Sequence, residues 1–142
     1  MEWRCVDRSF AIAVHDQQLA VHGGGPGIRD EGLLDSALAR PQNLAAYEKP
    51  DLAALAASYA FGLARNHPFV DGNKRTALVV CETFIIDNGH FLAAPDAELV
   101  VVFENLAAGN VTEDELAEWL REHVKYLPDA ICGIPANCRA LR

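Results

Sequence analysis

The segment with the densest set of chemically capable side chains runs His67-Pro68-Phe69-Val70-Asp71-Gly72-Asn73-Lys74-Arg75. His67 is a candidate general base for a hydroxyl nucleophile, since an imidazole gains and loses its proton near neutral pH. Asp71 supplies a hard oxygen ligand suited to Mg²⁺, the ion that normally accompanies nucleotide phosphates. A base and a metal ligand four residues apart indicate phosphoryl-transfer chemistry.

The second half of this segment is suited to binding phosphate. A helix is predicted to start near Asn73, and helix starts present unpaired backbone N–H groups and a partial positive charge. Gly72 lets the backbone approach a ligand closely, and Lys74 and Arg75 add cations at the same end. These four residues are therefore predicted to bind phosphate. Arg65, two residues before the histidine, either adds a further phosphate contact or is a solvated helix residue.

Residue types alone leave a structural alternative open. A histidine beside a proline is commonly a loop residue, Asp-Gly-Asn is a common turn, and cations on a helix are usually solvated. The glycine-rich residues 23–27 suggest a phosphate cradle, but they lack the lysine and the serine or threonine of a P-loop. A flexible loop is the simpler interpretation of those glycines.

The helices that must position these residues are predicted from caps and apolar spacing. The pattern indicates an all-α domain of about six helices, with a minor short strand pair, over residues 1–127. The predicted helices cover residues 9–21, 30–40, 51–66, 73–88, 96–108 and 112–126, and short strands are predicted at 2–6 and 90–92. Ser9, Asp30, Asp51 and Thr112 are the predicted N-caps. Residues 128–142 are predicted to form an irregular tail.

Length and composition restrict the function further. At 142 residues, 51% hydrophobic and 23% charged, the chain has the size and balance of one globular domain. Its formal net charge of −8 disfavours direct nucleic-acid binding, since a phosphate backbone would be repelled. No apolar stretch is long enough to span a bilayer and no signal-like tract opens the sequence, so a cytoplasmic location without membrane contact is expected. The four cysteines, Cys5, Cys81, Cys132 and Cys138, lack the close pairing of a structural zinc site.

The order of residues from His67 to Ala77 resembles the signature of the Fic/Doc superfamily, and specifically its death-on-curing (Doc) toxin branch. The similarity extends to His15-Asp16, the loop at 23–27, Asp30 and the Ala46-Tyr47-Glu48 turn, and it covers roughly residues 7–124. The resemblance implies an all-α Fic-type domain that acts as the toxin of a toxin–antitoxin pair.

The resemblance also implies a role for each motif residue. His67 would deprotonate the target hydroxyl, Asp71 would hold Mg²⁺, and Asn73 would position the phosphates or the backbone. Lys74 and Arg75 would neutralise the transferring phosphoryl group. Phe69 is expected to anchor the loop in the core, whereas His15 either lies in the core or lines the substrate groove.

Lys74 is the residue on which the implied reaction depends. Most relatives in the wider superfamily have glycine at this position and transfer an adenylyl group. Doc toxins with the lysine transfer the γ-phosphoryl of ATP to a threonine of translation elongation factor Tu, which arrests translation. The resemblance therefore implies a kinase with ATP as co-substrate. Adenylyl transfer to a protein hydroxyl and a catalytically inactive binding module remain the alternatives.

The same resemblance suggests two protein partners. Residues Gly24, Gly25, Pro26 and Gly27 are similar to the flap that lines the target protein in this family, so they are expected to dock elongation factor Tu. Many Fic proteins carry an inhibitory helix with Ser or Thr four residues before Glu, followed by Gly or Asn, and this sequence has no such arrangement. A separate cognate antitoxin, whose disordered segment folds onto the toxin, is therefore expected.

Overall fold

A computed structural model describes residues 3–128, and within them the chain forms six α-helices and one two-stranded sheet. The helices are α1 (Arg8–His22), α2 (Glu31–Tyr47), α3 (Leu52–Asn66), α4 (Asn73–Asp87), α5 (Asp96–Ala108) and α6 (Glu113–His123), and the strands are β1 (His90–Leu92) and β2 (Val124–Tyr126). The predicted all-α class with a short strand pair is confirmed. Apart from Pro128, the predicted tail lies outside the described residues, as do Cys132 and Cys138.

Helix α3 is the centre of the fold and packs against α2, α4, α5 and α6. Its alanines Ala56, Ala57, Ala60 and Ala64 are fully buried, and such small side chains let neighbouring helices approach closely. The approach is tightest at Gly62, where a methyl group would lie 3.1 Å from a backbone atom of α2. The loop that joins α3 to α4 therefore follows a helix that is packed in the core.

The N terminus of α1 differs from the prediction. Asp7, rather than Ser9, is the N-cap, because its carboxylate accepts a 2.8 Å hydrogen bond from the backbone N–H of Phe10. That hydrogen bond is the main reason why the pKa of Asp7 lies below its usual value. The Ser9 hydroxyl donates to the same carboxylate at 2.9 Å. The predicted first strand is wrong over residues 3–6, which form no strand.

Helix α2 continues through Pro41 to Tyr47, although the proline was expected to end it. A proline inside a helix removes one backbone hydrogen bond and costs about 3 kcal/mol. Pro41 is buried, and the Ala37 carbonyl that would accept that hydrogen bond lies on the side packed against Gly62 of α3. Packing between the two helices therefore outweighs the local preference of the proline.

Helix α6 ends at His123, three residues before the predicted end. Residues Val124–Tyr126 pair instead with His90–Leu92 as an antiparallel strand, with His90 opposite Tyr126. The predicted capping box of Thr112 and Glu115 and the predicted strand at 90–92 are both confirmed. None of the helices within residues 3–128 combines the length and apolarity that a bilayer-spanning segment needs.

Asp51 links the start of α3 to α6 and yields a test of the fold. Its carboxylate accepts from the Ala54 backbone N–H at 2.9 Å and from the Arg121 guanidinium at 2.6 and 3.0 Å. We expect Asp51→Ala to lower the free energy of unfolding by about 1 to 2 kcal/mol, measured by urea denaturation, because the cap is lost. Asp51→Ser keeps a capping oxygen and should lose less than about 1 kcal/mol, since the ion pair is half-exposed.

The same pair predicts a pH dependence. The hydrogen bond from Arg121 is the main cause that lowers the pKa of Asp51 below 3.8 in the folded state. A lowered folded-state pKa stabilises the fold above the unfolded value, and the benefit is lost as the pH falls through the folded value. The stability difference between wild type and Asp51→Ser should therefore be constant above about pH 5 and shrink below about pH 4. A difference that grows on acidification would contradict this assignment.

Candidate active site between helices α3 and α4

The loop that carries the motif begins at His67, where α3 ends in a left-handed turn. His67 has φ 48° and ψ 55°, and among residues 3–128 it is the only residue other than glycine with positive φ. Such a conformation costs about 1 kcal/mol or more unless its surroundings hold it. The Arg29 guanidinium supplies that support by donating to the backbone carbonyls of His67 and Asn66 at 2.7 and 2.8 Å. The His67 side chain is exposed.

Asn73 and Phe69 fix the middle of the loop. The Asn73 side-chain oxygen accepts from the Phe69 backbone N–H at 2.9 Å, and its amide group donates to the Phe69 carbonyl at 3.0 Å. Of the two roles predicted for the Asn73 side chain, the structure therefore supports holding the backbone. Phe69 is 1% exposed, so its predicted position in the core is confirmed.

His15 of α1 lies directly beneath this loop. It is 1% exposed, which favours the core position over the groove. Its ring stacks on that of Phe69, with centroids 3.9 Å apart and planes 7° from parallel. Its Nε2 atom lies 2.8 Å from the Asp71 carbonyl oxygen. His15 is thus a buried histidine that also contacts the functional loop.

Residues 23–29, which we call the flap, run antiparallel beside the motif loop. The Val70 N–H donates to the Gly27 carbonyl at 3.1 Å, and the Arg29 N–H donates to the Pro68 carbonyl at 2.7 Å. The flap also contacts the Asp71 side chain, whose Oδ2 accepts from the Gly25 N–H at 3.3 Å. The predicted docking residues therefore lie against the motif, while docking itself remains a prediction.

The N terminus of α4 is electropositive and has no side-chain cap. Helices α1, α2 and α3 each begin at a capping aspartate, whereas α4 begins at Gly72, with φ 78° and no capping side chain. Its first turn holds no acidic residue and contains Lys74 and Arg75. Within residues 3–128 neither cation forms an ion pair. Unpaired N–H groups and free cations at a helix start form an anion-binding site.

These groups open onto one cavity of about 870 Å³, a volume suited to a nucleotide-sized ligand. The lining residues are His22, His67, Val70, Asp71, Gly72, Asn73, Lys74, Arg75, Leu78, Val100, Phe103, Glu104, Ala107 and Ala108. Six residues predicted as base, metal ligand or phosphate ligands thus share one wall. Arg65 does not line the cavity, because its guanidinium lies 5.3 Å from the Phe61 ring centre, beside Gly109. Its phosphate contact remains a prediction.

Several residues that line the cavity were not predicted from the sequence. They are His22 at the end of α1 and Val100, Phe103, Glu104 and Ala107 of α5. The α5 residues follow helical spacing, which is equally typical of a core face, so their pattern alone did not separate the two roles. Arg29 was also missed, since no spacing rule connects it to the carbonyls it holds.

Asp71 is the carboxylate at this site that could bind Mg²⁺. Each Asp71 carboxylate oxygen accepts one backbone N–H, from Gly72 at 2.8 Å and from Gly25 at 3.3 Å, and keeps a further lone pair. Within the part of the chain that the structure describes, no three His, Cys, Asp or Glu side chains cluster as a metal site. One carboxylate fits a Mg²⁺ ion that arrives with nucleotide phosphates better than a resident metal centre.

Comparison with known proteins identifies the family. Residues 5–85 match the Fic/DOC family, a span that contains α1, the flap and the motif loop. The chain belongs to the Fic/DOC family. It is 36% identical over 111 residues to "Protein kinase doc" of Escherichia phage P1, covering 78% of this chain and 87% of that protein. It is 51% identical over 76 residues to "Toxin Doc" of Mycolicibacterium smegmatis (strain ATCC 700084 / mc(2)155), covering 51% of this chain and 57% of that protein.

Both relatives carry Doc names, which confirms the resemblance to the Doc branch of the Fic/DOC family. The family assignment agrees with the six-helix fold and with the position of the motif at the start of a helix. The roles of the individual motif residues remain predictions.

The contact between the flap and Asp71 yields a test of the site geometry. Gly24 has φ 127°, and a Cβ atom there would lie 2.7 Å from Asp71 Oδ2. We expect Gly24→Ala to displace the Asp71 side chain and to shift the backbone amide NMR signals of Asp71 and Gly72. Gly27→Ala is the matched control, since Gly27 has φ 101° but open space around its Cβ position. Equal shifts from both variants would show that backbone strain alone, rather than this contact, disturbs the loop.

Proposed function

We propose that the protein is the toxin of a toxin–antitoxin pair and transfers the γ-phosphoryl group of ATP to a threonine hydroxyl of translation elongation factor Tu, which arrests translation. One observation carries the proposal. The start of α4 has no capping side chain, and its cations Lys74 and Arg75 form no ion pair with the part of the chain that the structure describes. It lies beside His67 on the wall of one nucleotide-sized cavity. The names of the two relatives, a protein kinase and a toxin, support the same conclusion.

His67 is the proposed general base. Its exposed imidazole lines the cavity, within reach of a hydroxyl group presented from outside. It accepts the threonine proton as the threonine oxygen forms a bond to the γ-phosphorus. The bond from the γ-phosphorus to the bridging oxygen breaks, and ADP leaves with that electron pair. Arg29 contributes indirectly, because its hydrogen bond to the His67 carbonyl holds the left-handed turn.

The start of α4 is the proposed phosphate site. Its unpaired backbone N–H groups, Lys74 and Arg75 bind the oxygens on which negative charge accumulates during transfer. Asp71 is the residue that would hold Mg²⁺, which would neutralise negative charge on the phosphates when it is bound. The Asn73 side chain keeps the loop in place by its two hydrogen bonds to the Phe69 backbone, and we assign it no contact with phosphate.

Lys74 supports transfer of the γ-phosphoryl group over transfer of an adenylyl group. Where the wider family has glycine, phosphates can lie directly against the backbone at this position. The long side chain of Lys74 fills part of that space and carries a charge into it, which favours a different orientation of ATP. The orientation of ATP that suits a glycine at this position would bring the α-phosphorus close to His67, and transfer would then release pyrophosphate.

The antitoxin is proposed to cover the mouth of the cavity. Val70 and Val100 both line the cavity and are 56% and 50% exposed. Exposed apolar side chains beside a ligand cavity are typical of protein-binding surfaces. Glu104, which lies on α5 like Val100, and the net charge of −8 favour an antitoxin segment that carries cations. Elongation factor Tu is proposed to contact the flap at Gly24, Gly25, Pro26 and Gly27, on the other side of the motif loop.

The experiment combines purified elongation factor Tu, Mg²⁺, antitoxin-free protein and ATP labelled at either the α or the γ phosphate. We expect label on the threonine only from the γ position, together with ADP. His67→Ala should lower the rate at least about 100-fold, which is the contribution typical of a general base. Lys125→Ala is the control for a change of surface charge, since Lys125 is an exposed cation on β2, away from the cavity.

The other outcomes separate the alternatives. Label from the α position with release of pyrophosphate would mean adenylyl transfer, and the role given to Lys74 would be wrong. No label from either position, with toxicity that survives His67→Ala in cells, would identify an inactive Fic fold that sequesters a partner. We expect Lys74→Ala to lower γ-transfer while its fold, measured by circular dichroism, stays unchanged, because Lys74 is exposed.

A further inference from the structure

One buried side chain contacts two residues of the motif loop and lies close to a third. His15 stacks on Phe69 and reaches the Asp71 carbonyl with Nε2. Its Cδ2 atom also lies 3.7 Å from the position that a Cβ atom would take at Gly72. Fifty-six residues separate His15 from Asp71 in the chain. Helix α1 is thus joined to the loop through the His15 ring, and its Leu19 side chain lies at the same 3.7 Å distance from the Cβ position of Gly72.

The hydrogen bond to the Asp71 carbonyl determines which ring nitrogen of His15 carries a proton. A carbonyl oxygen can only accept a hydrogen bond, so Nε2 of His15 must carry a proton and donate it. The stacking on Phe69 fixes the plane of the ring, and the hydrogen bond of 2.8 Å fixes its direction. A ring held in both ways restricts the peptide unit between Asp71 and Gly72, whose carbonyl it binds.

That peptide unit is where the metal ligand meets the anion site. The Asp71 side chain leaves the chain on one side of it, and Gly72, the N-cap of α4, is on the other. Rotation of this unit would move the carboxylate and re-aim the first N–H groups of α4 together. The flap restrains Asp71 more weakly, through the 3.3 Å hydrogen bond from Gly25.

We propose that His15 is a positioning residue whose hydrogen bond to the Asp71 carbonyl sets the geometry of the magnesium–nucleotide site. The proposal rests on the proposed function, because it assumes that this site binds nucleotide. A purely structural role would require only a buried ring of similar size, whereas a positioning role requires the donor. A positioning role therefore predicts that a substitution keeping only the ring disturbs the site and that one keeping only the donor does not. A structural role predicts the reverse.

The test compares three variants. His15→Phe keeps an aromatic ring for stacking and removes the donor, and His15→Gln removes the ring and keeps an N–H donor at a similar reach. Val14→Ala is the control for stability, since Val14 is a buried neighbour on α1 that forms part of the core. Each is made in the His67→Ala background, so that ATP is not consumed. Calorimetry with Mg²⁺ and ATP gives the affinity, and hydrogen exchange of the Gly72 amide without ligand reports on the loop.

We expect His15→Phe to weaken Mg²⁺–ATP binding and to speed exchange of the Gly72 amide, each by about tenfold, the effect of losing one buried hydrogen bond. His15→Gln should stay within about threefold of its parent in both measurements. Val14→Ala should lower the melting temperature without changing either. If His15→Phe does not fold, His15→Met serves as the second variant without a donor, with the same expected losses.

Three results would overturn the proposal. His15→Phe could match its parent in both measurements, His15→Gln could be as impaired as His15→Phe, or Val14→Ala could cause the same losses. Failure of the proposed function is recognised separately, because the parent protein itself would then not bind Mg²⁺–ATP. In that case, hydrogen exchange of the Gly72 amide decides the role of His15 without reference to nucleotide.

Discussion

The uncapped start of α4 is the constraint on which the site depends. A helix that begins without a capping side chain leaves its first N–H groups and its partial positive charge unsatisfied. Lys74 and Arg75 add to that charge within the first turn, whereas the acidic Asp71 lies just before the Gly72 N-cap. This helix end therefore has the features of an anion-binding site. The loop that precedes the helix must then be held through its backbone, partly by Asn73 at the start of α4 and partly by residues of other elements.

Three separate elements provide that support. Asn73 binds the Phe69 backbone from within α4, Arg29 of the flap holds the end of α3, and His15 of α1 holds the Asp71 carbonyl. Each contact acts on the backbone and leaves the reactive side chains free. This division explains how exposed groups such as His67 and Asp71 keep a defined geometry. Rigidity comes from the buried side of the loop, and the side chains proposed to do the chemistry lie on its exposed side.

The sequence predicted those elements whose local signals agree with their packing. Helix α3, with an aspartate cap and regular apolar spacing, matched its prediction over residues 52–66. The prediction failed at Pro41, where the contact of α2 with α3 overrides a local preference, and after His123, where pairing with β1 turns predicted helix into strand. These errors share one cause, since contacts distant in sequence leave no trace in a local window.

The candidate site also combines residues that could be predicted from local sequence with residues that only the fold brings to it. The motif residues are contiguous, so their order was sufficient to predict a base, a metal ligand and cations at a helix start. Arg29, His22 and the wall formed by α5 join the site only through the fold. The predicted position of Phe69 in the core was confirmed because a lone aromatic side chain in a polar loop has one favourable place to go. Arg65 shows the opposite case, since a residue near the motif in sequence stacks on Phe61 instead.

The contribution of α5 to the cavity has a consequence for how the sequence of such a protein can evolve. The reacting groups and the backbone contacts that hold them come from α1 to α4 and the flap, while α5 contributes Val100, Phe103, Glu104 and Ala107. Reactivity and the choice of occupant are therefore encoded in different stretches of the chain. Substitutions on α5 can therefore change the lining of the cavity and leave the motif residues unchanged.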